Sequence, residues 1–154
     1  MIARNRNIKP ILILMADDDE DDRLMTEKAM KKNHLSNDIR FVVDGEDLMD
    51  YLLQKGKYNT DNAPVPDLIL LDLNMPKKNG REALKEIKTN EKLKSIPVII
   101  LTTSEAEEDI VKSYELGVNS FVTKPVTFEG LVQVIKDIDN YWFELVKLPS
   151  INNY

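Results

Sequence analysis

The chain of 154 residues, 42% hydrophobic and 31% charged, is long enough for one domain with a substantial core. Its net charge of −6 argues against nucleic acid as the main partner, and the absence of cysteine excludes disulfides and thiol chemistry. No segment has the length of a membrane-crossing helix, and the apolar run after Arg4, Arg6 and Lys9 meets acids rather than a small-residue cleavage site, so a cytoplasmic protein is expected.

Strand and helix patterns alternate along the chain. Ile11 to Ala16 reads as a first strand running into Asp17, Asp18 and Asp19. A helix over 20–33 carries Leu24, Met25, Ala29 and Met30 at helical spacing, and its opening acids suit the positive end of a helix dipole. Ile39 to Val43 is a second strand, followed by Asp44-Gly45 and a helix bearing Leu48, Leu52 and Leu53. Lys55 to Pro66 reads as a polar insertion rather than a linker between domains. Leu68 to Leu71 is an unbroken apolar run, the habit of a central parallel strand buried on both faces, and it ends at Asp72. Gly80 opens onto a helix with Ala83, Leu84 and Ile87; Val98 to Leu101 is a fourth strand ending at Thr102-Thr103. Ser104 and Glu107 have the spacing of a capping box, and Gly117 suits the end of that helix. Phe121 to Thr123 ends at Lys124-Pro125, and Thr127 can cap a last helix with Leu131, Val134, Ile135 and Ile138. Residues 1–8 are thus an arm, 9–140 one α/β domain with helices on both faces of a parallel sheet, and 141–154 an extension with too little chain for a second domain.

Open α/β sheets bind their ligands at the carboxyl ends of the strands. Asp17 and Asp18, Asp72, Thr102 and Lys124 each stand where an apolar strand meets a loop, so all converge on that edge. Two carboxylates about 4 Å apart repel by roughly 4 kcal/mol at an effective dielectric of about 20, and a bound cation relieves this. Hard oxygen donors with open water positions suit Mg²⁺, which prefers to share a phosphate. Lys124 supplies a point charge for a phosphate oxygen, and its bond to Pro125, if cis, would aim it over the edge. Thr102 offers a hydroxyl donor, and Asp72 is a candidate nucleophile, since an aspartyl phosphate is a form of covalent catalysis. Glu20 to Asp22 read as an ordinary acidic helix start.

This pattern resembles the receiver domain of two-component response regulators. The motifs are Asp17-Asp18, Leu71-Asp72-Leu73-Asn74-Met75-Pro76 with Gly80, Thr102, and Lys124-Pro125, over about residues 9–140. The resemblance implies a flavodoxin-like sheet of strand order 2-1-3-4-5, with Asp72 accepting a phosphoryl group from a sensor kinase's phosphohistidine. It implies one Mg²⁺ held by Asp17, Asp18, Asp72 and the backbone carbonyl of Asn74, and phosphoryl oxygens bound by Thr102, Lys124 and the amide of Thr103. Phe121 matches an aromatic switch partner of Thr102, and the implied output is the surface of the fourth helix, fifth strand and fifth helix. Such a protein is a phosphoacceptor in signalling rather than an enzyme acting on external substrates. The acidic pair is either Asp17-Asp18, the alignment adopted, or Asp18-Asp19.

The insertion, the Pro76 to Glu82 segment and the tail Tyr141 to Pro149 look like the stand-alone regulators that partner bacterial phytochromes and similar sensor histidine kinases. Trp142, Leu145 and Val146 share a helical face, which would dock on this domain or on a second copy; the surface of the fourth helix, fifth strand and fifth helix is the other route to a homodimer. The downstream target is another, unnamed protein; neither nucleic acid nor membrane is expected. A haloacid-dehalogenase-like phosphatase would want a second aspartate where Asn74 stands, together with a substrate cap. A flavin carrier would want a glycine- and hydroxyl-rich phosphate loop in place of Asp17 to Asp19. A receiver-like binding module would have lost an acid or the lysine. His34, the single histidine, is a surface residue at a helix end; Met15, Met25, Met30 and Met49 fill core; Tyr58 is either a loop anchor or a partner contact.

Overall fold

A computed structural model describes residues 11–33, 38–103 and 106–140. Five βα units follow one another: β1 (Leu12–Ala16), α1 (Glu20–Lys32), β2 (Asp38–Val42), α2 (Gly45–Leu53), β3 (Leu68–Leu71), α3 (Gly80–Thr89), β4 (Val98–Thr102), α4 (Glu107–Glu115), β5 (Ser120–Thr123) and α5 (Phe128–Ile138). The strands are all parallel, in the order β2-β1-β3-β4-β5. The predicted arm, His34, Ser104 and the extension from residue 141 lie outside the described residues.

The period-2 alternation of strand side chains divides the core between two faces. Leu14, Ala16, Ile69, Leu71, Val98 and Ile100 face α2 and α3 through Leu48, Met49, Ala83, Leu84 and Ile87. Ile13, Met15, Leu68, Leu70, Ile99 and Leu101 face α1 and α5 through Ala29, Met30, Leu131, Ile135 and Ile138. Both faces of β3 and β4 are covered, which explains why β3 is apolar at every position and β4 at every position before its last, Thr102. The methionines are core, as expected, with Met15, Met30 and Met49 buried and Met25 packed at the margin.

Local signals set most element ends. Asp19 caps α1 by accepting from the amides of Asp21 and Asp22, and Thr127 caps α5 by accepting from Gly130. Asn79 and Glu82 form a full capping box on α3. Three expectations are corrected. The helix start expected at Ser104 lies instead with Ala106 at the N-cap position and no side-chain cap. The acids Glu107, Glu108 and Asp109 occupy the first turn, where the dipole favours them. The Lys124–Pro125 bond is trans, since no described peptide bond is cis. Lys124 is aimed by the ladder instead, its amide donating to the Thr102 carbonyl at 2.7 Å, one residue beyond β5. The second strand runs Asp38–Val42 rather than 39–43, because Asp38 already pairs with Leu12. The insertion is ordered locally: Tyr58 donates to Asp47 at 2.7 Å and meets the Tyr51 ring edge-on at 5.2 Å, contacts that suit the loop anchor, one of the two roles left open for it. Among the described residues no helix is long and apolar enough to cross a membrane.

Candidate functional site

Register brings the site together. Ala16 pairs with Leu71, so Asp17 and Asp72 leave the sheet side by side, the Asp72 amide donating to the Ala16 carbonyl at 3.0 Å. Thr102 pairs with Thr123, which places Lys124 at the same edge. Gly80 lets the loop fold tightly behind Asp72: a Cβ there would lie 2.1 Å from the Asp72 carbonyl oxygen.

The two oxygens of Asp72 are held differently. Oδ1 accepts from the Thr102 hydroxyl at 2.8 Å and from the Asn74 amide at 3.1 Å. Oδ2 faces the Lys124 ammonium at 3.3 Å. That ammonium, only 9% exposed, also donates to Asp17 at 2.7 Å and Asp22 at 2.8 Å. Asp17 is fully buried, and its other oxygen accepts from the Asp19 amide at 2.9 Å. Arg23 adds a second cation nearby, donating to the Asp17 carbonyl at 2.8 Å.

Burial is the largest influence on Asp17 and pushes its carboxyl above the ordinary 3.8, with the Asp72 charge adding a little; the Lys124 hydrogen bond pulls the other way and does not win. For Lys124, burial acts to lower the ammonium, but the hydrogen bonds to Asp17 and Asp22 outweigh it and hold the group protonated more firmly than a free lysine. The pair is therefore a buried ion pair in which the lysine is secure and the acids are crowded.

Asp17, Asp18 and Asp72 each offer a carboxylate oxygen, all within 4.8 Å of one another. Those oxygens are close enough for one Mg²⁺ ion to be held between them, and the donors are of the hard type that ion prefers. Asp18 is exposed, which leaves room for water or a phosphate oxygen. Asp19 is committed to the α1 cap, which favours Asp17-Asp18 over Asp18-Asp19 as the acidic pair.

A family model of the response regulator receiver domain matches residues 13–136. The chain belongs to the response regulator receiver family. This receiver is 43% identical over 141 residues to response regulator Rcp1 of Synechocystis sp., covering 92% of this chain and 95% of that one. It superimposes on the crystal structure of the Mn²⁺-bound form of Rcp1 with a TM-score of 0.84 at 42% identity, covering 92% of this chain and all (100%) of the other. The phosphorylated cyanobacterial phytochrome response regulator RcpA gives a TM-score of 0.85, also at 42% identity, with the same coverage of 92% and 100%.

Of the residues singled out from the receiver's sequence, Asp17, Asp18, Asp72, Thr102 and Lys124 meet at one point. Asn74 lies exposed in the next turn, and Thr103 is exposed beside Thr102. Phe121 is half-buried against the α2/α3 side of the core, and its amide donates to the Tyr114 hydroxyl at 3.2 Å. Sequence reasoning missed Asp22, taken as part of a solvated helix start. Because α1 begins directly at the sheet edge, its first turn overhangs the site, and Asp22 reaches Lys124. Arg81 was missed too. An arginine in the first turn of a helix opposes the dipole, a signal that an anionic partner stands opposite; that partner is Asp109, bound through both oxygens at 2.7 Å.

Proposed function

We propose that Asp72 accepts a phosphoryl group from the phosphohistidine of a sensor histidine kinase in a Mg²⁺-dependent reaction. The observation that carries this is the asymmetric grip on Asp72: a hydroxyl donor on one oxygen, an ammonium on the other, and two further carboxylates within 4.8 Å. A carboxylate oxygen of Asp72 attacks phosphorus in line as the P–N bond breaks, and the histidine nitrogen leaves with the electron pair. Lys124, secure in its proton, turns from Asp72 Oδ2 toward a phosphoryl oxygen and offsets its charge. Thr102 moves its hydroxyl hydrogen bond from Asp72 Oδ1 to a second oxygen, with the Thr103 amide beside it. Mg²⁺ bound by Asp17, Asp18, Asp72 and the Asn74 carbonyl would supply the remaining neutralisation of charge.

Drawing Thr102 toward the phosphoryl group leaves space beside β5 that Phe121 fills, and the α4-β5-α5 surface changes. A ligand shifts such an equilibrium only by contacts that differ between the states, and these are the differing contacts. The protein catalyses its own phosphorylation and dephosphorylation and acts on no external substrate. It works in the cytoplasm on another protein, with a phytochrome-like kinase upstream, a reading supported by the likeness to RcpA. Homodimerisation would use the α4-β5-α5 face or the extension from residue 141.

The test is the intact mass after exposure to acetyl phosphate, with and without Mg²⁺. Wild type should gain one phosphoryl group only with Mg²⁺, and Asp72→Asn should gain none. A chain that takes up neither the phosphoryl group nor beryllofluoride is a binding module instead.

A further inference from the structure

Helix α4 is fastened unlike its neighbours. The residues it buries are Asp109 and Ser113, both polar, while Val111 and Tyr114 are exposed and its N-cap residue, Ala106, supplies no cap. Apolar burial therefore does little to fix its position. Its first turn is gripped instead by Arg81, whose Nε and Nη2 donate to the two oxygens of Asp109 at 2.7 Å each. The two-pronged geometry fixes direction as well as distance. The same guanidinium reaches the other way, to the Leu73 carbonyl at 3.4 Å and the Asn74 side-chain oxygen at 3.5 Å. Leu73 and Asn74 are the two residues after the acceptor Asp72, and the Asn74 amide is bonded to the acceptor carboxylate itself. One side chain thus spans the acceptor loop and the start of α4.

We infer that Arg81 is a positioning residue that ties the acceptor loop to the first turn of α4, so that a movement of either is felt by the other. The inference deepens the phosphoacceptor reading and relies on it for its signalling meaning. It adds a route from Asp72 to α4 through the β3–α3 loop, separate from the one through Thr102 and Phe121. Coupling of this kind is reciprocal, and reciprocity is what can be measured.

Amide hydrogen exchange would be followed residue by residue in the unliganded full chain for wild type, Arg81→Gln, Arg81→Lys, Asp109→Asn and the double variant Arg81→Gln/Asp109→Asn. Arg81→Gln should speed exchange over residues 107–115 about threefold, as expected for losing a partly exposed, charge-assisted double hydrogen bond that holds one local unit. Asp109→Asn, a change on α4, should shift the Asn74 amide signal and speed its exchange. A purely local role for Asp109 would leave that signal where it is. Arg81→Lys, which keeps the charge and loses the fork, should fall between, and the double variant should exceed neither single. An Asn74 amide indifferent to Asp109→Asn, or single effects that simply add, would overturn the inference. The exchange comparison needs no phosphoryl group. If wild type failed to take up beryllofluoride with Mg²⁺, the phosphoacceptor reading would fall while the link between loop and helix would still be decided.

Discussion

Helices α4 and α5 flank the same edge strand and are held by opposite means. Helix α5 buries Leu131, Ile135 and Ile138 against α1 and the sheet, and Thr127 caps it. Helix α4 buries an aspartate and a serine, lacks a side-chain cap, and is fixed by Arg81 at its start and by Tyr114 on the Phe121 amide near its end. Apolar burial is insensitive to the charge of a distant group, whereas polar contacts of this geometry can be exchanged for others at small cost. The helix tied to the loop after Asp72 is thus the one held by exchangeable polar contacts, and α5 is the one held by apolar packing.

That contrast can be broken most forcefully from the apolar side. Leu131→Ala should cost about 2–4 kcal/mol of unfolding free energy, the price of an apolar cavity, read from urea denaturation. A loss comparable to that of a surface change would mean that α5 is no firmer than α4. Next in size is a gain. Carboxylates outnumber cations at the site, so Asp17→Asn should stabilise the metal-free chain by about 1–2 kcal/mol at neutral pH while abolishing its stabilisation by Mg²⁺. The sign of the pH dependence follows from the raised Asp17 carboxyl. Such a group contributes stability below its unfolded value and loses it as pH rises through its folded one. The advantage of Asp17→Asn, measured with chelator present, should therefore be absent below pH 3.8, grow as pH rises toward the raised value, and level off above it.

Smaller still, Arg81→Gln should lower global stability by less than about 1 kcal/mol, because the arginine is 42% exposed and water screens the pair. Its effect is read residue by residue in α4 exchange and is small in the denaturation midpoint; a midpoint shift rivalling that of Leu131→Ala would erase the distinction between the helices. The finest probe is salt. Raising ionic strength to about 1 M shortens electrostatic reach to about 3 Å, and should speed exchange in α4 while leaving α5 unchanged.

How much of this was legible in the sequence depends on the kind of contact. Strands β3 and β4 could be read to within a residue, since both are buried on two faces and are apolar up to the Thr102 that ends β4. Asp17, Asp72, Thr102 and Lys124 were legible because each is a polar residue ending an apolar run. Strand β2, at the sheet edge, was read one residue late: exposed Asp38 pairs with Leu12 and exposed Val43 does not pair, the reverse of what hydropathy suggests. Asp22 and the Arg81–Asp109 pair were hidden because their partners lie 102 and 28 residues away. A charge on a helix reads the same whether it faces water or a buried ammonium. The start of α4 was misplaced because a capping signal is local, while the grip on Asp109 comes from another helix.

The bond between Lys124 and Asp17 joins residues 107 apart, from the last strand to the end of the first. A chain emerging from the ribosome therefore carries its acids well before the ammonium that balances them. Docking of β1 against β3 can precede this, but Asp17 cannot be buried comfortably until β5 is added. The cluster of acids and ammonium at the sheet edge is thus among the last parts to assemble, completed only when the final strand delivers Lys124.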